Sequence, residues 1–305
     1  MSFSFVPLSP SDGTLLSGYF AGQKYRLSSY SPGVVSVWNN CAYSNFFAET
    51  PHGLLISEQS VTEPDARWLL LPVGGAEPAP PALAALARSA GIGRYRFVPG
   101  GYLERVPAAE LEKFFIATRE RNCDDYIYRR ADLADLSGHR YSKKRNLIRQ
   151  FEREYLAAGR VSVEPITEPA LGDCREFAGE WYRAKSEKFS LWPQDMGCER
   201  KAFFQTLANF SVIGVRGIAV RIDGRVRALA IGTGLTADTG VLNFEKAAGD
   251  FKGLYQFLDR EAARRIFEGY DYISKENDMG DEGLRQAKLS YHPAHIEQSW
   301  ALDLR

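Results

Sequence analysis

The order of strand-like and helix-like runs after Val161 restricts the fold of this chain more than any other feature of its sequence. A strand-like run comes first, then two helix-like runs, and then two apolar runs that flank Asp223 and Gly224. Asp-Gly between apolar runs predicts a β-hairpin, because both residues tolerate the left-handed backbone of a type I′ turn. A third strand, a helix, a strand, a helix and a final strand or strand pair follow. The second half is therefore predicted to be a mixed unit that contains three antiparallel strands.

This order resembles the fold of the GNAT acyltransferases. The first half has nearly the same order with one helix fewer at its front, although the halves share no obvious sequence repeat. The resemblance implies an α+β chain with two tandem GNAT-like domains, and 305 residues suit two domains of about 150 residues each. We predict an N-terminal domain over residues 1–136, a basic linking helix over 137–160 and a C-terminal domain over 161–305.

The composition argues against several classes of protein. Lysine plus arginine and aspartate plus glutamate each number 38, so an anionic partner would have to bind a local patch. A signal peptide and a membrane-spanning helix are not expected, since the sequence has neither pattern. The four histidines show no metal-ligand spacing. No CxxC pair occurs among Cys41, Cys123, Cys174 and Cys198, which predicts free thiols and a reducing, cytoplasmic location.

The segment 137–160 is basic, with seven Lys or Arg and two Glu between residues 140 and 160. On a helix its apolar residues, which are Leu147, Ile148, Phe151 and Tyr155, share one face. The arginines Arg145, Arg149 and Arg153 lie opposite, and a solvated face is the favoured interpretation of this stripe. Lys144 points with the apolar face, where a charge is costly unless it reaches solvent or a partner. The candidate substrate-binding residues here are Lys143, Lys144, Arg145 and Asn146.

The turn after the third strand of the second half is a candidate anion site, because bare backbone amides and a helix dipole attract anions. GNAT enzymes hold the pyrophosphate of coenzyme A at this place, with the spacing Arg/Gln-x-x-Gly-x-Gly/Ala. The spacing here is Lys-x-x-Gly-x-x-x-Gly, and this longer loop favours an anion other than coenzyme A. A plain strand-to-helix connection is the alternative interpretation. The candidate residues are Lys246, Gly249, Lys252 and Gly253.

A second concentration of charge lies in "YDYISKENDMGDEGLRQAKLSYHP", between a strand-like and a helix-like run. Alternation along the strand places Ser274 and Glu276 on one side, with Asp278 just past the end of the strand. On the following helix Lys288 shares a face with Leu284, Ala287 and Tyr291, and Arg285 lies about 60° away. These residues are predicted to face a cleft, with acids for an ammonium group and bases for a phosphate or carboxylate. A buried salt-bridge network that fixes the helix to the sheet is the alternative.

Three stretches make the chain resemble a known family. They are "DYIYRRADLADLSGHRYSKKRNLIRQFEREY", "FEKAAGDFKGLYQFLDREAA" and "YDYISKENDMGDEGLRQAKLSYHP", and they lie in this order between residues 125 and 293. The family is the C-terminal domain of phosphatidylglycerol lysyltransferases, which has stand-alone bacterial members and is similar to the Fem-type aminoacyltransferases. The resemblance implies transfer of an aminoacyl group from aminoacyl-tRNA to a lipid headgroup or a peptidoglycan precursor. Ser274 and Asn277 depart from the family pattern, which has Asn and an acid at these positions.

The favoured function is an acyl- or aminoacyltransferase in which a free amine or hydroxyl attacks an activated ester. Glu245, with Glu276 or Asp278, would hold the amino group or act as the base. The donor's phosphates would be held by Lys246, Lys252, Arg285 and Lys288. The donor is expected to be aminoacyl-tRNA or acyl-CoA, and the acceptor a small molecule, a lipid headgroup or a peptide. A coenzyme A-dependent N-acetyltransferase and a non-catalytic anion-binding module are the two alternatives.

Overall fold

The computed structural model describes residues 4–39, 43–188 and 194–305. The strands are β1 (Val6–Pro7), β2 (Tyr43–Thr50), β3 (Gly53–Ser60), β4 (Arg67–Leu69), β5 (Arg94–Pro99), β6 (Phe115–Arg119), β7 (Asp125–Arg129), β8 (Val161–Pro165), β9 (Arg216–Ile222), β10 (Arg225–Gly234), β11 (Thr239–Ala247), β12 (Tyr272–Ser274), β13 (His295–Glu297) and β14 (Ser299–Leu304). The helices are α1 (Gly13–Phe20), α2 (Pro32–Val37), α3 (Pro80–Ala90), α4 (Gly100–Arg105), α5 (Ala108–Leu111), α6 (Arg130–Asp135), α7 (Ser142–Phe151), α8 (Leu171–Lys188), α9 (Gln194–Ala208), α10 (Leu254–Arg265) and α11 (Glu282–Leu289).

The strands form two seven-stranded sheets, with the orders β1-β2-β3-β4-β5-β14-β6 and β13-β7-β12-β11-β10-β9-β8. The architecture is α+β with two tandem GNAT-like halves. The halves exchange strands, because β7 of the first half lies between β13 and β12, and β14 of the second half lies between β5 and β6. The predicted domain bounds, 1–136 and 161–305, therefore cut across both sheets.

The predicted hairpin is confirmed. Strands β9 and β10 pair in antiparallel register from Arg225↔Ile222 onward. The turn between them holds Asp223 at φ 52° and Gly224 at φ 79°, the left-handed region that a type I′ turn requires. Both faces of this sheet are covered, since Ala228 and Ala230 belong to the apolar cluster with α10, and Leu229 and Ile231 to the cluster with α8 and α9.

Part of the predicted linking helix is confirmed as α7, which ends at Phe151 and continues into a π-helical turn over Glu152–Leu156. Ile148 and Phe151 are buried, as the apolar periodicity predicts. The ring of Phe151 packs on that of Phe257 in α10, with 4.8 Å between the ring centroids. The linking helix is therefore anchored to the second half.

Helix α7 lies close to the start of α10 at Gly253, which has φ 88° and immediately precedes α10. A Cβ atom at this position would lie 2.2 Å from the carbonyl oxygen of Leu147 in α7. Only glycine accepts both the left-handed backbone and this contact. Helix packing therefore accounts for Gly253, which the sequence suggested as part of an anion site.

No helix in the described part of the chain has the length and apolar character needed to span a bilayer. Among the described cysteines, Cys123, Cys174 and Cys198, no disulfide forms. Cys41 lies outside the described residues.

Candidate functional site

The parallel strands β11 and β12 part after a short paired stretch. They pair only at Thr239↔Tyr272, Gly240↔Ile273 and Val241↔Ser274. Strand β11 continues to Ala247, whereas β12 ends at Ser274. We call the space beyond this point the β11–β12 cleft and define it by Asn243, Glu245, Lys275 and Glu276. Ligands often bind where the strands of a sheet diverge, so this cleft is the candidate functional site.

Glu245 and Lys275 face each other across the cleft, with 3.8 Å between Oε2 of Glu245 and Nζ of Lys275. A second acid, Asp259 of α10, lies closer to this ammonium, with 2.5 Å between Oδ1 and Nζ. Burial would lower the pKa of Lys275, but Asp259 and Glu245 raise it above its ordinary value. Burial and the charge of Asp259 raise the pKa of Glu245 well above its ordinary range. The arrangement therefore favours a charged Lys275 beside a Glu245 that readily holds a proton.

Glu276, which follows β12, reaches across the cleft to β11. Its Oε1 accepts a hydrogen bond of 3.1 Å from Nδ2 of Asn243. Burial, and next the charge of Asp125, raise the pKa of Glu276. Asp125 begins β7 and is itself buried, and its Oδ2 accepts a hydrogen bond of 2.5 Å from the backbone N–H of Ser28. Burial raises the pKa of Asp125 to about 6. Two carboxyl groups with raised pKa values thus lie at the inner end of the cleft.

Three buried oxygen atoms in this region have no hydrogen-bond partner among the described residues: Oδ1 of Asn243, Oε1 of Glu245 and Oδ1 of Asp125. A buried acceptor without a donor costs free energy, and native structures rarely leave several together. All three atoms are acceptors, so they would be satisfied by a ligand rich in N–H or O–H groups. The cleft therefore suits an ammonium or hydroxyl group better than a phosphate.

Asp278 belongs to a separate network rather than to the cleft. Its side chain is fully buried, and Oδ2 accepts hydrogen bonds from Nε of Arg285 at 2.9 Å and from the hydroxyl of Tyr126 at 2.5 Å. Oδ1 accepts from the backbone N–H of Gly280 at 2.9 Å, and Arg121 lies 3.4 Å from Oδ2. Burial alone would raise the pKa of Asp278, but these hydrogen bonds hold it well below its ordinary range. A carboxylate so firmly ionised is a weak base, which favours the salt-bridge interpretation for Asp278 and Arg285.

Lys288 also differs from its predicted setting. The expected apolar stripe beside it is wrong, since Leu284 and Ala287 are exposed. The ammonium instead donates to the backbone carbonyl groups of Lys275 at 2.6 Å and Glu276 at 3.0 Å, and to that of Asn277. Lys288 thus contacts the backbone beside the cleft, where the sequence suggested a phosphate ligand.

The linking helix meets the end of α11 next to the cleft. The ammonium of Lys144 lies 3.4 Å from the ring centroid of Tyr291 and 2.9 Å from Oγ of Ser290. Lys275 approaches the same ring at 4.6 Å. Burial lowers the pKa of Lys144 to about 8. Lys144 and Tyr291 therefore cover the Lys275 side of the cleft.

The other predicted residues of the linking helix do not reach the cleft. Lys143 and Asn146 are exposed. Arg145 donates to the backbone carbonyl groups of Leu136 and Gly138, which makes it a structural link to the end of α6. Only Lys144 in this set contacts residues that border the cleft, Ser290 and Tyr291.

The residues of the predicted anion turn also differ in whether they are accessible to a ligand. Lys246 forms an ion pair with Glu199 of α9, and its ammonium lies 4.5 Å from the ring centroid of Trp181. Lys252 is exposed, and the space around Gly249 is open. These two residues remain available to a ligand, whereas Lys246 already has a partner.

Sequence reasoning did not single out Asp125, Glu199, Asn243, Asp259 or Lys275. Asp259 carried a signal, because it lies between the buried residues Leu258 and Ala262 on the apolar face of α10. The others acquire their meaning only through partners that are distant in sequence. No group of metal-ligating side chains occurs among the described residues.

Comparisons with known proteins agree on the fold. The family described as "Phosphatidylglycerol lysyltransferase, C-terminal" matches residues 38–302. A solved structure of a conserved protein of unknown function from Bacteroides thetaiotaomicron is 28% identical, covers 99% of this chain and 100% of its own, and has a TM-score of 0.88. A protein from Agrobacterium fabrum is described as a lysylphosphatidylglycerol synthetase. Its C-terminal DUF2156 domain is 14% identical, covers 97% of this chain and 92% of its own, and has a TM-score of 0.63.

No curated protein matches the chain significantly. The family match covers more than half of the sequence, including all three stretches that carry the resemblance. This chain belongs to the family of the C-terminal domain of phosphatidylglycerol lysyltransferases.

Proposed function

We propose that this chain is an acyltransferase that moves an aminoacyl group from aminoacyl-tRNA to an amine or hydroxyl acceptor. The family and the fold support an acyltransferase. The observation that carries the finer proposal is the carboxyl group of Glu245, which is raised in pKa and has an unpartnered Oε1 in the β11–β12 cleft. A base with a pKa near the working pH both accepts and returns a proton efficiently.

In this reaction the nitrogen or oxygen of the acceptor forms a bond to the acyl carbon of the donor ester. The ester bond to the ribose oxygen of the donor breaks, and the proton of the acceptor passes through Glu245 to that leaving oxygen. Negative charge that develops on the acyl oxygen is stabilised by Lys275, whose charge is maintained by Asp259. The protein supplies positioning, one proton relay and one positive charge.

The unpartnered oxygens support an aminoacyl group rather than a simple acetyl group. An α-ammonium group has three N–H donors, whereas an acetyl group has none. Asn243, Glu276 and Asp125 provide acceptors and negative charge at the inner end of the cleft. An acetyl group there would leave these buried oxygens unsatisfied.

The exposed surface of the linking helix and of the turn before α10 supports a nucleic acid as the carrier of the donor. Four exposed basic residues lie on α7, on the π-helical turn that follows it and on the turn before α10: Lys143, Arg149, Arg153 and Lys252. The ion pairs of this region use other arginines, namely Arg140 with Asp132, Arg160 with Asp223 and Arg260 with Glu152. Gly253 is packed against the carbonyl of Leu147, so helix packing explains this glycine without a ligand. One of the glycines expected at a coenzyme A site therefore has another role. Free basic side chains suit a polyanion that contacts an extended surface.

The test is a transfer assay with the purified chain. Donors would be total tRNA charged with single labelled amino acids, and acetyl-coenzyme A in a parallel arm. Acceptors would be phosphatidylglycerol vesicles, short peptides and simple amines. We expect label to move from aminoacyl-tRNA to one acceptor class, and Glu245→Gln to lower the rate about 100-fold or more, as loss of a general base does.

The matched control for this assay is Glu110→Gln, the same substitution at an exposed residue that pairs with Lys113 in the first half. Acetyl transfer without aminoacyl transfer would favour the N-acetyltransferase alternative. Binding of tRNA with no transfer to any acceptor would favour a non-catalytic module.

A further inference from the structure

The segment that follows β12 leaves one neighbouring strand and keeps the other. Its pairing with β11 stops at Val241↔Ser274. On the side of β7 the contact continues, because the N–H of Lys275 donates to the carbonyl of Tyr126 at 3.0 Å and the N–H of Tyr126 donates to the carbonyl of Glu276 at 3.3 Å. The cleft therefore opens because residues 275–277 turn away from β11 alone.

Three consecutive carbonyl groups of this segment converge on one atom, the Nζ of Lys288. The distances are 2.6 Å for Lys275 and 3.0 Å for Glu276, and Asn277 is also bonded. Successive carbonyl groups of a strand point to opposite sides, so three that meet at one point cannot belong to a continuing strand. An ammonium has three N–H donors, and here all three are used by backbone. Lys288 thus has no free donor for a ligand.

The same contact fixes Glu276. This residue has φ 57°, a left-handed conformation that non-glycine residues rarely adopt. Its carbonyl is bonded to Lys288 and its side chain to Asn243 across the cleft. The carbonyl of Lys288 in turn accepts a hydrogen bond of 2.8 Å from the hydroxyl of Tyr128, which ties the end of α11 to β7.

We propose that Lys288 is the positioning residue of the β11–β12 cleft: its ammonium gathers the carbonyl groups of residues 275–277, keeps this segment away from β11 and aims Glu276 at Asn243. Lys288 acts through backbone and does not touch the substrate. The positioning role of Lys288 is independent of the proposed function, and only the identity of the ligand in the cleft rests on it.

The test compares Lys288→Met, which keeps the stem, with Lys288→Ala, which leaves room for a small ligand. Amide hydrogen exchange of residues 274–281 is measured in the full chain, with β3 (Gly53–Ser60) as the internal reference. We expect exchange in 274–281 to quicken at least about tenfold in both variants, because exchange follows the free energy of local opening. Millimolar n-propylammonium, which replaces the atoms from Cγ to Nζ, should restore protection in the Ala variant and not in the Met variant.

Unchanged exchange in both variants would overturn the proposal. So would an Ala variant that n-propylammonium does not rescue, or that neutral n-propanol rescues equally, since packing rather than charge would then hold the segment. If the Ala variant loses protection throughout the chain, rescue by n-propylammonium still decides the question in the same way. Exchange is measured without substrate, so a wild type that shows no transfer would sink the proposed function and leave the role of Lys288 intact. Where transfer is observed, the Met variant should lower kcat more than it changes KM.

Discussion

Asp259 and Lys275 form an ion pair with 2.5 Å between Oδ1 and Nζ, and this pair takes up the positive charge that Glu245 would otherwise share. Glu245 lies 3.8 Å from the same ammonium and has one oxygen with no partner among the described residues. The pair thus keeps Lys275 charged while Glu245 remains easy to protonate. The two acids differ in their distance from Lys275. Asp259 therefore forms the ion pair, whereas Glu245 remains able to accept a proton.

Glu245→Gln should stabilise the protein at high pH. A carboxyl group whose pKa is raised in the folded state ionises first in the unfolded state, so wild-type stability falls as the pH rises above about 4.3. The variant lacks this penalty. Its free energy of unfolding should exceed that of wild type by about 1–3 kcal/mol at pH 8.5, with little difference at pH 5. Urea melts at the two pH values measure this. Glu110→Gln, at an exposed residue, should show no such trend. If the stability of wild type instead rises relative to Glu245→Gln as the pH increases, Glu245 is ionised in the folded state.

Gly253→Ala should destabilise the protein by about 2–4 kcal/mol, because the new Cβ would meet the Leu147 carbonyl at 2.2 Å in a left-handed backbone. Gly249→Ala is the matched control in the same turn. Its Cβ would have no atom within 4 Å, so we expect a change within about 0.5 kcal/mol. Thermal and urea melts measure both variants. A Gly253→Ala variant of normal stability that has lost donor binding would restore the anion-site interpretation of this glycine.

Asp278→Asn should cost about 2–4 kcal/mol at pH 7, a range below that of a fully buried ion pair because Arg285 and Arg121 are partly exposed. The pKa of Asp278 is depressed in the folded state, so its contribution is present above about pH 3.9, the unfolded value, and is lost as the pH falls towards the folded pKa. The stability gap between wild type and variant should therefore narrow below pH 4.

Urea melts at pH 7 and below pH 4 measure this gap. Asp65→Asn, at an exposed aspartate, serves as the control. An equal gap at both pH values would show that the ionised carboxylate of Asp278 is not what holds the network together.

Neutralising Lys143, Arg149 and Arg153 together should flatten the salt dependence of tRNA binding. Each phosphate contact contributes about 0.7–0.9 to the slope of log K against log salt, so the triple Gln variant should lose about two to three from that slope. Filter binding over a range of salt concentrations measures it. A triple Gln variant at Arg88, Lys113 and Arg225, exposed elsewhere, should keep the wild-type slope. An unchanged slope in the first variant would place the tRNA contact away from α7.

Much of the fold followed from local pattern. The Asp223-Gly224 turn and the apolar face of α7 depend on neighbouring residues, and both were predicted. The exchange of β7 and β14 was not, because alternation shows which face of a strand is buried but not which strand lies beside it. Strand pairing is a long-range property that a single sequence does not encode in its periodicity.

The candidate site was also predicted only in part, because its groups come together through long-range pairing. Glu245 and Glu276 were candidates from the sequence, and both line the β11–β12 cleft, where their roles are proposals. Asp278 was grouped with them because it lies just past the end of the strand, where loops often line clefts. The left-handed turn at Glu276 redirects the chain there, and Asp278 bonds to Tyr126 and Arg285 instead. Lys275 was passed over, because its importance comes from Asp259 on another element.

The exchange of strands also sets an order of events during synthesis on the ribosome. The first sheet has its β5 and β6 from residues 94–99 and 115–119, but the strand that joins them is formed by residues 299–304. Until those residues emerge, β5 and β6 present open edges to solvent, which are prone to pairing with other chains. Such distant contacts also slow folding. We therefore expect a nascent chain stalled before residue 299 to bind chaperones and to resist folding, however completely its N-terminal half has been made.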